Sequence, residues 1–319
     1  MKFKVVLCVT TALLSACGGG GDGEDSAVVT IGGLPIIPVT PTVTPAPTVT
    51  ASSSTEIVAT STAKLPVTNR RIQIDALAST ATLEAPIVAN VTFNSGVSGT
   101  GEVELDGLTP FDAAVTTGGV LRVIDPDGLL AEVANGAGSD TRGSGTIVGF
   151  LSNHASFGFW SRAVSTSLTR VDLGMYHAGL QTPAARAVPS GTVVFEGTAI
   201  GVVLAKTAIS STPVTTNLAG DLSLRVEPGG AVNGTIESDG TALGFNPITL
   251  TGTLTGATYE GTVTVGSGTV PLSSAQRLEP GTTGTFEGAL YGFDATETAG
   301  TLSAEDTDTV LVMGFAGVK

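Results

Sequence analysis

The side chains that could do chemistry are few and scattered. The chain has two histidines, His154 and His177, and the second directly follows Tyr176. Tyrosine and histidine are both haem-iron ligands, which makes Tyr176 and His177 the haem candidates of this sequence. Neighbours on an extended strand point to opposite faces, so the two would not readily grip one iron from one side. The ordinary reading is an aromatic packed at a subdomain seam beside an exposed His. Asp306 and Asp308 fall between two predicted strands, where a solvated turn explains them. Asp125-Pro-Asp-Gly128 begins like a calcium loop but lacks the twelve-residue spacing and the closing bidentate acid. A G-x-G-x-x-G match at Gly18, Gly20 and Gly23 has no strand before it and no helix after it. No G-x-S-x-G elbow, H-E-x-x-H helix or Cys/His metal spacing occurs. The expectation is a non-enzyme with no catalytic residue, no cofactor and no metal.

The most informative single residue is Cys17. Lys2 and Lys4 precede a short apolar run, Val5 to Leu14, and then Ser15-Ala16, the pattern of an exported bacterial signal peptide. The run is about half of the roughly 20 apolar residues that a membrane-spanning helix needs. Leu14-Ser15-Ala16-Cys17 resembles the lipobox of bacterial lipoproteins, which implies cleavage before Cys17 and lipidation of its thiol. Several acyl chains, each methylene worth about 0.8 kcal/mol, make a durable anchor. Gly18 stands where an Asp would signal inner-membrane retention, so the resemblance implies the outer membrane.

Cys8, the only other cysteine, lies inside the signal, leaving the mature domain without disulfide or thiolate chemistry. Losing Lys2 and Lys4 takes the basic count from 14 to 12 against 28 acids, so the net charge moves from −14 to −16. Such an acidic chain is a poor partner for nucleic acid or for anionic surfaces.

These residues are carried on a chain with a clear division. Residues 1–16 read as the signal peptide. Residues 17–64, with Pro35, Pro38, Pro41, Pro45 and Pro47 among Thr, Val and Ser, read as a disordered Gly/Pro/Thr-rich tether. Residues 65–185 form short β-branched runs punctuated by Gly, Asp and Asn, predicting a β-rich subdomain. Within it Gly119 to Ile124, the turn Asp125-Pro-Asp-Gly128, and Leu129 to Val133 read as one hairpin.

From 186 to 319 the pattern sharpens into eight predicted strands, near 191–204, 218–227, 231–238, 247–255, 257–266, 283–292, 297–304 and 308–317. Short turns such as Glu227-Pro-Gly-Gly230 join most of them. Leu222, Leu224 and Val226 share one face, as do Ile248, Leu250 and Leu254. Eight such strands close into an antiparallel up-and-down barrel, which removes exposed edges. Phe195-Glu-Gly197, Tyr259-Glu-Gly261 and Phe286-Glu-Gly288 repeat one device. Each puts an aromatic and a glycine on one face with an acid facing the other way, so that a ring can cover bare backbone where the barrel bends.

Phe157-Gly-Phe-Trp160, Gly179-Leu-Gln-Thr-Pro183 and Pro189-Ser-Gly-Thr-Val-Val-Phe-Glu-Gly197 with Gly201 resemble the entry into the barrel of transferrin-binding protein B and related surface lipoproteins. Gly284-Thr-Phe-Glu-Gly-Ala-Leu-Tyr-Gly292, Glu297 to Gly300 and the ending Gly314-Phe-Ala-Gly-Val-Lys319 are similar to the close of that barrel. The resemblance covers about residues 150–319, with a less distinctive handle before it. It implies an all-β lobe, a handle followed by an eight-stranded barrel. Two features depart from the family: Ala299-Gly300 stands where a Gly-Gly pair is frequent, and there is room for one lobe instead of two. Single-lobe relatives take different partners, among them haem proteins and complement regulators.

Together these readings predict an outer-membrane, lipid-anchored and surface-exposed lipoprotein of a Gram-negative cell. Its role would be non-catalytic binding of an external protein or of a haem or iron carrier. The partners implied are that carrier, an outer-membrane transporter or a surface-lipoprotein translocator, and the membrane through the lipid alone. The alternative is a structural or periplasm-facing envelope lipoprotein without a nutrient ligand.

Overall fold

The structure is a computed structural model. It describes residues 48–54, 65–75, 80–85, 87–95, 100–106, 119–123, 129–135, 145–151, 153–163, 170–206, 215–238, 245–267 and 278–319. The expected signal peptide, Cys17, the Gly18–Gly23 motif and the Asp125–Gly128 turn lie outside these residues.

Two antiparallel sheets make up the described fold. The first, which we call the handle, contains β1 (Leu65–Asp75), β2 (Thr80–Leu83), β3 (Ile87–Ser95), β4 (Thr100–Asp106), β5 (Gly119–Val123), β6 (Leu129–Asn135), β7 (Gly145–Leu151), β8 (Ala155–Ala163) and β9 (Arg170–Gly179). One edge of β1 runs along β9, from Val67 opposite Ala178 to Asp75 opposite Arg170. Its other edge takes β3 beside Leu65 to Asn69 and β2 beside Ile72 to Asp75. Each remaining strand pairs with the next, so the sheet returns on itself through β1 and β9. The predicted hairpin is present as β5 against β6, with Leu121 opposite Val133.

The second sheet is the expected eight-stranded closed barrel. It comprises β10 (Val193–Ala205), β11 (Thr215–Val226), β12 (Ala231–Ser238), β13 (Ile248–Thr255), β14 (Thr258–Val265), β15 (Thr283–Tyr291), β16 (Glu297–Glu305) and β17 (Thr309–Val318). Neighbours in sequence are neighbours in space, and β17 closes on β10 from Thr309 opposite Ala205 to Val318 opposite Glu196. Between β11 and β12 the predicted turn is made by Gly229 and Gly230, both at positive φ (106° and 89°), a conformation that glycine alone adopts without cost. A one-turn helix, α1 (Ala184–Ala187), precedes the barrel and buries Ala187 in the barrel core. The expected domain boundary between 185 and 186 falls within it.

Alternation decides which side chains fill the barrel. Phe195, Leu222, Leu224, Val232, Ile236, Leu250, Val263, Phe286, Leu302 and Phe315 are all buried in one cluster to which every barrel strand contributes. This is the reverse of a membrane barrel, whose apolar band faces outward. The expected ring-over-glycine device appears most fully between β14 and β15. Tyr259 lies opposite Gly288, and Gly261 opposite Phe286, so each strand's ring covers the other's glycine. A methyl on Gly261 would come within 2.7 Å of the Phe286 ring, and one on Gly252 within 2.9 Å. Phe315 covers Gly300 in the same way across β16 and β17. The Tyr259 hydroxyl, sealed inside, reaches the Thr298 hydroxyl at 2.7 Å, and burial raises its pKa well above that of an ordinary phenol.

Candidate functional site

Not all barrel strands face water. In β12, β13 and β14 burial alternates residue by residue, with Asn233, Thr235, Thr249, Thr251, Thr253, Glu260 and Thr262 exposed on the outside. In β16 and β17 almost every residue is buried on both faces. The handle covers the outer face of β16 and β17 and, beside them, the outer residues of β10 from Ile200 and of β15 from Ala289, and among the described residues this seam brings polar and titratable side chains of the two sheets together.

Strand period places the seam residues. On β1 the side chains of Arg70, Ile72 and Ile74 share the barrel-facing side, and on β9 so do Leu173, Met175 and His177. At one end Ile72, Ile74, Leu173 and Met175 pack with Val202 and Leu204 of β10 and Val310 and Val312 of β17 into a second apolar cluster. Between the apolar end and the linker lies Arg70, only 4 % exposed. Its guanidinium donates to Thr285 Oγ1 at 2.8 Å and Ser303 Oγ at 2.7 Å, and pairs with Glu287 at 3.1 Å. Burial lowers the Arg70 pKa and raises that of Glu287, while their mutual attraction opposes both shifts. The pair is thus a charged latch between β1 and two barrel strands.

The end nearest the linker is polar and closed. His177 Nδ1 lies 2.9 Å from the Tyr291 hydroxyl at the end of β15. Glu297, at the start of β16, accepts the backbone N–H groups of Asn153 (3.1 Å) and His154 (2.8 Å). Around them, Thr182 N–H donates to Leu290 O, Gly292 N–H to Leu180 O and Leu180 N–H to His154 O. Close approach explains two glycines here: a methyl on Gly179 would strike the Tyr291 ring at 2.6 Å, and one on Gly292 the His154 ring at 2.7 Å. Gln181 also pairs with Thr50 on one side and Tyr291 on the other, and Ala51 is buried beside it. Residues 48–51, read from sequence as part of a disordered tether, are therefore held at the linker by Ala51 N–H to Gln181 O and Gln181 N–H to Val49 O. Backbone pairing, which the spacer's composition does not encode, accounts for the difference.

The sequence candidates can now be placed. Tyr176 and His177 are both in β9 and both buried, at 1 % and 5 % exposure. They point to opposite faces: Tyr176 into the handle, its hydroxyl 3.3 Å from Ser156 Oγ, and His177 onto the barrel. Burial pushes the Tyr176 phenol up to about 12. The pair offers no shared iron position. The expectation of an exposed His beside the aromatic is corrected, because His177 lies on the same strand face as Leu173 and Met175. Asp306 and Asp308 sit in a turn, as expected, with Asp306 Oδ1 accepting the N–H groups of Asp308 and Thr309. Among the described residues no group of three His, Cys, Asp or Glu is placed to hold a metal. Sequence reasoning missed Arg70, Glu287, Tyr291 and Glu297. The signal for a covered wall was present in the unbroken run Val310-Leu-Val-Met-Gly-Phe-Ala316, apolar on both faces.

No family model matches the sequence, and no curated protein matches it. Solved structures of similar fold do exist. Transferrin-binding protein B of Haemophilus parasuis matches at 12 % identity, over 78 % of this chain and 45 % of that one, with a TM-score of 0.47. The same protein from Neisseria meningitidis matches at 13 %, over 75 % and 59 %, with a TM-score of 0.41. The haemoglobin-complexed HpuA of Kingella denitrificans matches at 15 %, over 86 % and 94 %, with a TM-score of 0.36. The chain spans about half the length of the intact transferrin-binding protein B structures that it matches.

Proposed function

We propose that the chain is a lipoprotein held at the outer membrane by Cys17, presenting its handle and barrel at the cell surface as a non-catalytic binding module. Its ligand on this reading is an external protein, or a nutrient such as iron or haem carried by one. The observation that carries the proposal is the filled barrel. Side chains from all eight strands occupy the interior in one apolar cluster, which leaves recognition to the outer surfaces and loops. Eight-stranded barrels are just wide enough for such filling or for one small ligand, and loops on a rigid scaffold suit a macromolecular partner.

The lipobox resemblance at Leu14 to Cys17 supports the anchor, and the acidic balance supports a role away from nucleic acid. Iron, on this reading, arrives with the carrier. Haemin titrated into lipid-free protein is expected to give no Soret shift that depends on Tyr176 or His177. Location is tested by protease shaving of intact cells that express the wild type or Cys17→Ser. The wild-type domain should be removed from intact cells, and the variant should leave the membrane fraction. Full protection of the wild type until lysis contradicts surface display, and unchanged membrane retention of the variant contradicts the anchor.

A further inference from the structure

Among the titratable side chains that join the handle to the barrel is His177, and nothing in the binding role requires it. His177 Nδ1 shares a hydrogen bond with the Tyr291 hydroxyl, while its Nε2 is buried and has no hydrogen-bond partner among the described residues. A neutral imidazole carries one N–H, whereas a charged one donates from both nitrogens. Protonation would therefore bury a second N–H without an acceptor, together with a positive charge, inside the seam.

The surroundings do not offset that charge. From β1 the nearest ionised group is Arg70, a cation on the same handle face. On β15 the carboxylate of Glu287 is taken by Arg70. On β16 Glu297 is turned to the amides of Asn153 and His154. The turn before β8 adds a second buried imidazole, His154, whose Nδ1 has no hydrogen-bond partner either. On β9 itself Asp172 and Tyr176 face the other way, Asp172 lying 3.6 Å from Arg71.

We propose that His177 makes the linker end of the seam acid-labile: proton uptake breaks its contact with Tyr291 and frees residues 179–182 from the barrel rim, while the barrel stays closed. The far end of the seam is held by Ile72, Ile74, Leu173, Met175, Val310 and Val312, which do not titrate. With the seam shut, burial first and the Arg70 cation second push the imidazole down from 6.5 to about 3. Once the seam opens, the imidazole regains a value near 6.5. The closed form's advantage is thus complete above about pH 6.5 and falls about tenfold per pH unit as pH drops toward 3.

Amide hydrogen exchange of the lipid-free protein tests this, corrected for intrinsic rates and read at Thr182 and Gly292, whose N–H groups bind Leu290 O and Leu180 O. Between pH 6.5 and 4.5 their protection is expected to fall about fiftyfold, with β12 to β14 unchanged, and His177→Asn should abolish most of the loss. An equal loss throughout the barrel, an undiminished loss in His177→Asn, or constant protection at both amides overturns the proposal. Should the variant misfold, an NMR titration of the wild-type His177 ring decides: a value well below 6.5 is expected, and one near 6.5 with Thr182 and Gly292 still protected overturns it.

Discussion

The barrel interior and the handle–barrel seam are both buried, yet they are built from different materials. Inside the barrel, rings and glycines exchange places between neighbouring strands, and the sealed hydroxyl of Tyr259 is satisfied by Thr298. In the seam a buried cation, a half-buried carboxylate and a buried imidazole lie beside an apolar cluster, and several of their atoms lack hydrogen-bond partners. Interior packing gains from every methylene, about 25 cal/mol per Å² removed from water. A buried ion pair gives back much of its attraction as desolvation and instead fixes which groups must meet. The interior therefore carries stability, and the seam carries the choice of how the handle sits.

The largest blow to the interior is Phe286→Ala, which uncovers Gly252 and Gly261 together. It should cost about 3–5 kcal/mol in chemical denaturation, and a cost below 1 kcal/mol would mean that ring-over-glycine packing is incidental. Gly288→Ala pushes a methyl against the Tyr259 ring and to 2.6 Å from Ala299 O. Overpacking of that kind should cost about 3 kcal/mol.

In the seam, Arg70→Ala strands Glu287. Because that carboxylate keeps 28 % of its side chain exposed, the loss should sit below the usual range for a broken buried pair, about 2 kcal/mol. Replacing both Arg70 and Glu287 with Met should recover most of it. A double variant as unstable as the single one would show that the pair is a net source of stability, erasing the contrast with the interior. The smallest effect expected is Tyr259→Phe, about 1 kcal/mol for one buried hydrogen bond, since Thr298 Oγ1 still donates to Ala289 O at 3.1 Å.

The barrel was legible because its information is local. Alternation in Leu222-Ser-Leu-Arg-Val226, the Glu227–Gly230 turn and the three aromatic-acid-glycine repeats each declare a strand, a turn or a face within a few residues. The predicted spans match the observed strands to within about three residues, β11 starting earlier at Thr215. The seam was not legible in the same way, because its partners are far apart in the chain. Arg70 meets Ser303 across 233 positions and His177 meets Tyr291 across 114, and no short-range pattern encodes either meeting. Period-two spacing does place His177 with Leu173 and Met175, so its burial could have been read from the strand. Which wall it would face could not.

The central claim is that this lobe binds an extracellular protein through its outer surface. Biolayer interferometry with the immobilised Cys17→Ser protein tests it most directly, against whole serum and then against its separated proteins. The account predicts saturable binding of at least one protein that survives haem-free, iron-free preparation of the lobe. A flat response to all of them, from protein whose circular dichroism shows an intact β-fold, would contradict it.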